Sequence, residues 1–429
     1  MPTTPWPAHA RRPCWLGVLA SVSVLSLPAV SATETAHAQD APAAEADRPL
    51  ATFTSAELAV LAPLLATGVV SLVEFAYGDD LPAIVLACEV NAPAELVASV
   101  IGEPAHYPDF MPALDGVQIT SAEGDAQSYD WQWQTSIFTL RGANTMTRYA
   151  PPGDHPERGY RFVVRSESGD LGTGRTVWRV IPRGASRSLV LSSSRMDLRD
   201  ANYIARQLAA ASSTMNRSIN VALAFSMMLR TRAEAERRSG FSRPRLPAAD
   251  GVPAEPTMDP LPLEAMLLRG DLLWVETSDG SDQGRVVAVG RMHVDDGRTR
   301  AAILDPQGFT QGLLQGAHAN MLPSDDGTRF EWGIDLPLVG TTGVMHMHEQ
   351  TDGILALDAE SGALSGAHWR FRTRPRDYGS LVVAWGTFDL GEGLWLVRVV
   401  QDADPAFRPG LSTSAELMMI RGLRTRLSM

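Results

Sequence analysis

The chain of 429 residues carries a formal net charge of −12 and is 45% apolar, and every one of its 37 basic residues is arginine. That acidic balance disfavours nucleic acid and anionic membrane surfaces as partners. Of the two cysteines, Cys14 lies in a leader-like segment, so Cys88 is left without a partner and stability has to come from burial rather than from a disulfide.

Arg11 and Arg12 precede the apolar run from Trp15 to Leu27, and small residues follow it. This is the order of an export signal, and the run is too short to span a bilayer. Ala36-His37-Ala38 offers a cleavage site, so residues 1–38 are expected to be a signal peptide and the product periplasmic or secreted. Their removal takes the formal charge from −12 to −13. No later segment is apolar enough over sufficient length to be a transmembrane helix. Residues 39–55, rich in Ala, Pro and acids, read as a flexible lead-in.

Residues 56–238 have the pattern of a first domain. An apolar strand at Ala83 to Val90 is followed by a short helix from Pro93 to Ile101. Trp131, Trp133 and Thr135 then alternate with Gln132, Gln134 and Ser136, and the stretches Tyr160 to Arg165 and Thr176 to Val180 alternate in the same way, as half-buried antiparallel strands do. From Ala201 to Arg232 the apolar period becomes three and four, without Pro or Gly, which predicts a long amphipathic helix with Asp200 as its N-cap. Residues 239–260, interrupted by five prolines, read as a linker.

Residues 261–429 repeat this order. Leu65 to Glu74 aligns with Leu267 to Glu276, Asp130-Trp131 with Glu331-Trp332, Met146 with Met345 and Trp178 with Trp369, and a helix from about Thr413 to Leu427 closes the second half. The period is that of whole domains, so the chain reads as an internal duplication.

Val90-Asn91-Ala92-Pro93-Ala94-Glu95-Leu96-Val97 and His106-Tyr107-Pro108-Asp109-Phe110-Met111-Pro112 resemble segments of the START-like (SRPBCC) superfamily, nearest to its polyketide cyclase/dehydrase and coenzyme Q-binding group. In the second half only Met321 and Pro323 of the latter segment survive. The resemblance implies an α+β fold of two tandem helix-grip domains, each a curved antiparallel sheet wrapped on a long C-terminal helix.

A helix laid across a bent sheet cannot pack against all of its concave face, so the space between them is filled by large side chains or left as an apolar cavity. Candidate ligand-binding residues are Trp131, Trp133, Met146, Phe162, Trp178, Met215, Ile219 and Leu223, with Trp332, Ile334, Met345, Met347, Trp369 and Met418 in the second half. Arg141, Arg148, Arg161 and Arg165 are candidates to meet a ligand headgroup. His106 is the candidate acid/base, and His346 and His348, two apart on one strand, have ligand-compatible spacing but no identifiable third ligand, so no metal is expected. Phosphate loops, dinucleotide fingerprints, nucleophile elbows and C-x-x-C pairs are missing, and no cofactor is expected. The leading expectation is an exported carrier of a hydrophobic small molecule or lipid, such as a quinone, sterol, carotenoid or acyl lipid. The alternatives are a cyclase/dehydrase-like enzyme and an envelope interaction module that binds no ligand.

Overall fold

The computed structural model describes residues 50, 52–75, 83–136, 138–203, 206, 213–243, 254–277, 283–313, 317–336, 339–387 and 395–428. The signal and residues 39–49 and 51 of the lead-in lie outside these residues, as does 244–253 of the proline-rich stretch.

The first repeat opens with α1 (Ser55–Thr67) and β1 (Gly68–Glu74). Thr54 and Glu57 form a reciprocal capping box that starts α1. β2 (Ile84–Val90) and α2 (Ala94–Gly102) follow, then six antiparallel strands in succession: β3 (Leu114–Glu123), β4 (Ala126–Gln134), β5 (Thr139–Tyr149), β6 (Tyr160–Gly169), β7 (Thr173–Pro182) and β8 (Ser188–Asp197). β8 returns to pair with β2, and α3 (Ser213–Ser239) closes the repeat. α3 packs against α2, β2 and β8, which makes it the grip helix.

The second repeat follows the same plan. Its elements are β9 (Gly270–Thr277), β10 (Gln283–Met292), the short helices α4 (Asp296–Ile303) and α5 (Pro306–Leu313), strands β11 (Ala317–Leu322), β12 (Thr328–Leu336), β13 (Val339–Glu349), β14 (Leu355–Gly362), β15 (His368–Arg376) and β16 (Gly379–Thr387), then α6 (Trp395–Ala403) and α7 (Phe407–Leu427). Among the described residues no helix is long and apolar enough to cross a membrane.

The sixteen strands among the described residues form one sheet in the order β11-β12-β13-β14-β15-β16-β10-β9-β1-β2-β8-β7-β6-β5-β4-β3. The order is a palindrome in which each strand of one repeat mirrors its counterpart in the other. At the centre, β1 pairs antiparallel with β9: Ser71 faces Leu273, Gly68 faces Glu276 and Glu74 faces Gly270. Since Gly68 aligns with Gly270 and Glu74 with Glu276, every contact across the seam recurs with its partners exchanged. That reciprocity is the mark of a two-fold interface, here fused within one chain. Both faces of the seam are buried. Val69 and Val73 point to one core with Leu273 and Val275, while Val70 and Leu72 point to the other with Leu272 and Trp274, all at most 5% exposed. On that second face α1 covers the seam with Leu58, Leu61 and Leu65, and Glu57 pairs with Arg269 at 2.7 Å.

The strand ladders correct two of the aligned pairs. Trp131 lies opposite Gly142 and Trp332 opposite Gly343, which sets the β4–β5 offset and makes Met146 the counterpart of Met347, not Met345. Through β8 and β16, Trp178 corresponds to Phe371, not Trp369. Each slip is two residues, which leaves every side chain on its original face and therefore leaves no trace in the polar/apolar pattern.

The grip helices differ from expectation at their starts. Tyr203 and Arg206 are helical, as expected beyond Ala201, with the Arg206 N–H on the Asn202 carbonyl at 2.9 Å, but Asp200 is no N-cap: it sits in a one-turn 3-10 helix, Leu198–Asp200, and accepts from Thr173 at 3.4 Å. α7 begins at Phe407, so Pro409-Gly410 lies within its first turn, where proline's missing N–H costs nothing. The two helices cross closely. Ser414 Oγ donates to the Ser218 carbonyl at 2.6 Å and Ser218 Oγ to the Ser414 carbonyl at 3.4 Å, while a Cβ on Gly410 would stand 2.6 Å from the Ala222 carbonyl oxygen.

One ion cluster ties α7 to the seam. Asp271 of β9, fully buried, accepts from Arg421 Nε at 2.8 Å and from Arg424, and Arg421 Nη2 also donates to the carbonyls of Val73 and Glu74 in β1, at 2.9 and 3.0 Å. Burial alone would raise the Asp271 pKa, but the Arg424 and Arg421 guanidiniums outweigh it and hold the carboxyl below its ordinary value of 3.8. A carboxyl depressed in the folded state contributes stability above its unfolded pKa and loses it as pH falls through the folded value. Asp271→Asn is therefore expected to cost about 3 kcal/mol near neutrality, since it leaves buried cations uncompensated. The gap to the wild type should close as thermal melts are repeated below about pH 4.

Candidate functional site

Between the first repeat's sheet and α3 lies a cavity of about 200 Å³. One side is aromatic and aliphatic: Trp131 and Trp133 of β4, Trp178 of β7, Val164 of β6 and Leu223 of α3, with Met111 and Leu114 from the segment after α2. Glycine makes room for one of these rings. A Cβ on Gly142 would stand 2.5 Å from the Trp131 indole, so only glycine lets the ring lie across β5.

A second group of lining residues is polar but uncharged: Asn144, Ser166, Thr176, Ser192, Ser194, Asn220 and Ser226. Tyr107 and Tyr129 join them. Tyr107 donates to the Ile101 carbonyl at 2.6 Å, and Asn144 Nδ2 donates to the Tyr129 hydroxyl at 3.2 Å. Asn144 Oδ1 is buried and has no partner among the described residues, an acceptor left open in the wall. Burial pushes the Tyr129 phenol up to about 12, partly opposed by the Asn144 hydrogen bond, and pushes Tyr107 well above its usual value. Both are neutral hydrogen-bonding groups at ordinary pH.

The second repeat completes the wall. Asp404 and Phe407, at the entry to α7, line this cavity of the first repeat. Arg230 of α3 donates through Nε to Asp404 Oδ1 at 2.8 Å, and the Phe407 ring packs 5.5 Å from Trp133. Met227, 39% exposed, is also among the lining residues.

Of the residues expected to line a ligand site, Trp131, Trp133, Trp178 and Leu223 line this cavity. Met146 and Phe162 are instead core: both are at most 1% exposed and belong to the main apolar cluster, Phe162 beneath α2 at Gly102. Ile219 is half-buried on α3 outside the lining, and the side chains of Met215 and Ile334 lie outside the described residues. In the second repeat Trp332, Met345, Met347 and Trp369 are all under 5% exposed in that same cluster, as ordinary core, and Met418 is half-buried. None of the four arginines expected at a headgroup, Arg141, Arg148, Arg161 and Arg165, lines the cavity. Arg148 and Arg161 stack on Tyr160 and Tyr149, and Arg141 is exposed and bonded to Gln132. His106 is outside the lining, exposed and 3.0 Å from Asp109. His346 and His348 stack with ring centroids 4.9 Å apart, and among the described residues no group of three or more His, Cys, Asp or Glu side chains could hold a metal ion. Cys88 is buried against Met228, and burial pushes its thiol up to about 11, so it is a core residue and not a nucleophile.

The second interior holds one unusual group. Glu416 of α7 is 2% exposed, and its Oε2 has no hydrogen-bond partner among the described residues. Burial raises its pKa well above the usual carboxylate range. An acid raised in this way favours the fold while protonated and works against it as pH rises through the folded value. Glu416→Gln, which keeps the shape and removes the titration, is expected to raise the melting temperature at pH 8 and leave it unchanged at pH 4.

No family model matches the chain, and no curated protein matches it. Similar solved structures include the Zhui aromatase/cyclase from Streptomyces sp. R1128, 19% identical over 40% of this chain and 98% of that one with a TM-score of 0.28. Another is the di-domain ARO/CYC StfQ of the steffimycin biosynthetic pathway, 11% identical over 77% of this chain and 98% of that one, TM-score 0.27. A third is the STAR-related lipid transfer protein from Xanthomonas axonopodis, 16% identical over 31% of this chain and 78% of that one, TM-score 0.26. The strand order and the grip helix of each repeat make the fold START-like, in two tandem repeats.

Proposed function

We propose that the first repeat binds a compact hydrophobic molecule bearing oxygen substituents, and that the protein carries it outside the cytoplasm. The observation that supports this is the cavity itself, with three tryptophans, a row of neutral hydroxyl and amide groups, and an open acceptor on Asn144. Concave sites of this composition, apolar with a few oriented polar groups, are the usual form of small-molecule sites. Size narrows the ligand. About 200 Å³ lies below the roughly 300–1,000 Å³ of typical sites for larger ligands. A quinone-sized ring or a short acyl segment fits, whereas a sterol or a carotenoid needs the walls to part.

Holding is favoured over turnover, because burial raises the pKa of the phenols facing the cavity and keeps them protonated, and His106 stands outside the lining. Carriage outside the cytoplasm is supported by the signal-like N-terminus alone.

Leu223→Trp places extra bulk in the cavity from a helix position whose backbone is unperturbed. Mass spectrometry of solvent extracts from purified protein is expected to find one oxygenated apolar molecule in stoichiometric amount with the wild type. The variant should retain at least about tenfold less, a loss of roughly 1.4 kcal/mol in binding, with its melting temperature kept. Equal retention by both proteins, or no retention together with no binding of added quinones or short acyl compounds, would refute the proposal.

A further inference from the structure

A second recess, of about 370 Å³, lies toward the C-terminal end of α3. Its walls include Arg232, Glu236 and Arg237 of α3, Phe241 and Arg243 just after it, and Thr277 at the end of β9. Arg232 is 3% exposed. Its Nη1 donates to Thr277 Oγ1 at 3.1 Å, but Nε and Nη2 have no hydrogen-bond partner among the described residues. Nε stands 3.7 Å from Glu236 Oε1, near enough for attraction between charges and too far for a hydrogen bond.

Glu236 is already engaged. It accepts from Arg243 Nε at 2.7 Å and Nη2 at 2.6 Å, and from the Asn91 backbone and side-chain nitrogens at 3.0 and 3.2 Å. Glu234 is likewise held by Arg237 and Arg238 at 2.7 and 2.6 Å. Two carboxylates thus face four guanidiniums, and the surplus is positive. The helix end opposes an anion with about half a charge, less than one guanidinium supplies. Its terminal carbonyls are also occupied, that of Arg237 by the Gly240 N–H and that of Glu236 by the Phe241 N–H and the Ser239 hydroxyl. A buried guanidinium with idle donors is costly unless something accepts from them.

We propose that this recess is an oxyanion site, in which Arg232 Nε and Nη2 form a fork for one phosphate or carboxylate group of a solute. The planar fork suits two oxygens of either group. The recess exceeds what a bare ion fills, so the rest of the solute lies along Phe241.

Isothermal titration of the full chain in chloride buffer at fixed ionic strength, with inorganic phosphate and separately with succinate, tests this and separates the two groups. Saturable one-site binding of at least one anion is expected, weakened about tenfold or more by Arg232→Met and unchanged by the surface control Arg187→Gln. Absence of saturable binding by both anions, or affinity unaffected by Arg232→Met, overturns the proposal. If Arg232→Met does not fold, Thr277→Val decides: it frees the anchor on Nη1, and an unchanged affinity overturns the proposal.

Discussion

Everything else in the molecule is positioned by the antiparallel pairing of β1 with β9 about Ser71 and Leu273. Each is the first strand of its own repeat and pairs on its other side with β2 or β10. Each would otherwise be an edge with unpaired backbone groups and an apolar side chain on both faces, a surface that invites association. Pairing them removes both edges at once and merges what would be two sheets into one. The seam also fixes α3 against α7, through the reciprocal Ser218 and Ser414 bonds and the bare backbone of Gly410. Because α7 is held there, its first turn reaches the first repeat, and Asp404 and Phe407 become part of the cavity wall.

The duplicated halves have diverged inside while keeping their frame. The ladders make Ser192 and Ser194 the counterparts of Ala384 and Gly386, and the reciprocal serine bonds make Asn220 the counterpart of Glu416. In the first repeat these positions line the cavity. In the second, a Cβ on Gly386 would stand 2.9 Å from Glu416 Oε1, so the lost serine side chain leaves the space that the longer acid occupies. Trp131 is half-buried beside open volume and Trp332 is 4% exposed, although each ring lies over a glycine of the next strand. One framework therefore supports a cavity in the first repeat and, at the matching positions of the second, a buried acid and a buried tryptophan, and the difference rests on a few side chains.

Much of the architecture was legible in the sequence because strands and grip helices announce themselves by period: Trp131 and Trp133 alternate, and the apolar residues of α3 recur at three and four. The seam was not legible. β1 and β9 are buried on both faces and carry no alternation, so nothing in them marks a partner strand in the other repeat. The site was half legible. Bulky residues on the concave face were identifiable, but whether one fills a core, like Phe162, or borders a void, like Trp178, depends on packing between elements distant in sequence. Tyr129, Asn144 and Asp404 were missed because their roles arise only when β4, β5 and the entry to α7 come together, and no spacing rule signals that.

The most direct test of the account is differential scanning calorimetry of the full chain. A seam buried on both faces and clamped by the Arg421–Asp271–Arg424 cluster makes the two repeats one cooperative unit. A single transition is predicted, with its van't Hoff enthalpy equal to the calorimetric enthalpy of the whole folded chain. Two resolved transitions, each carrying about half of that enthalpy, would contradict it.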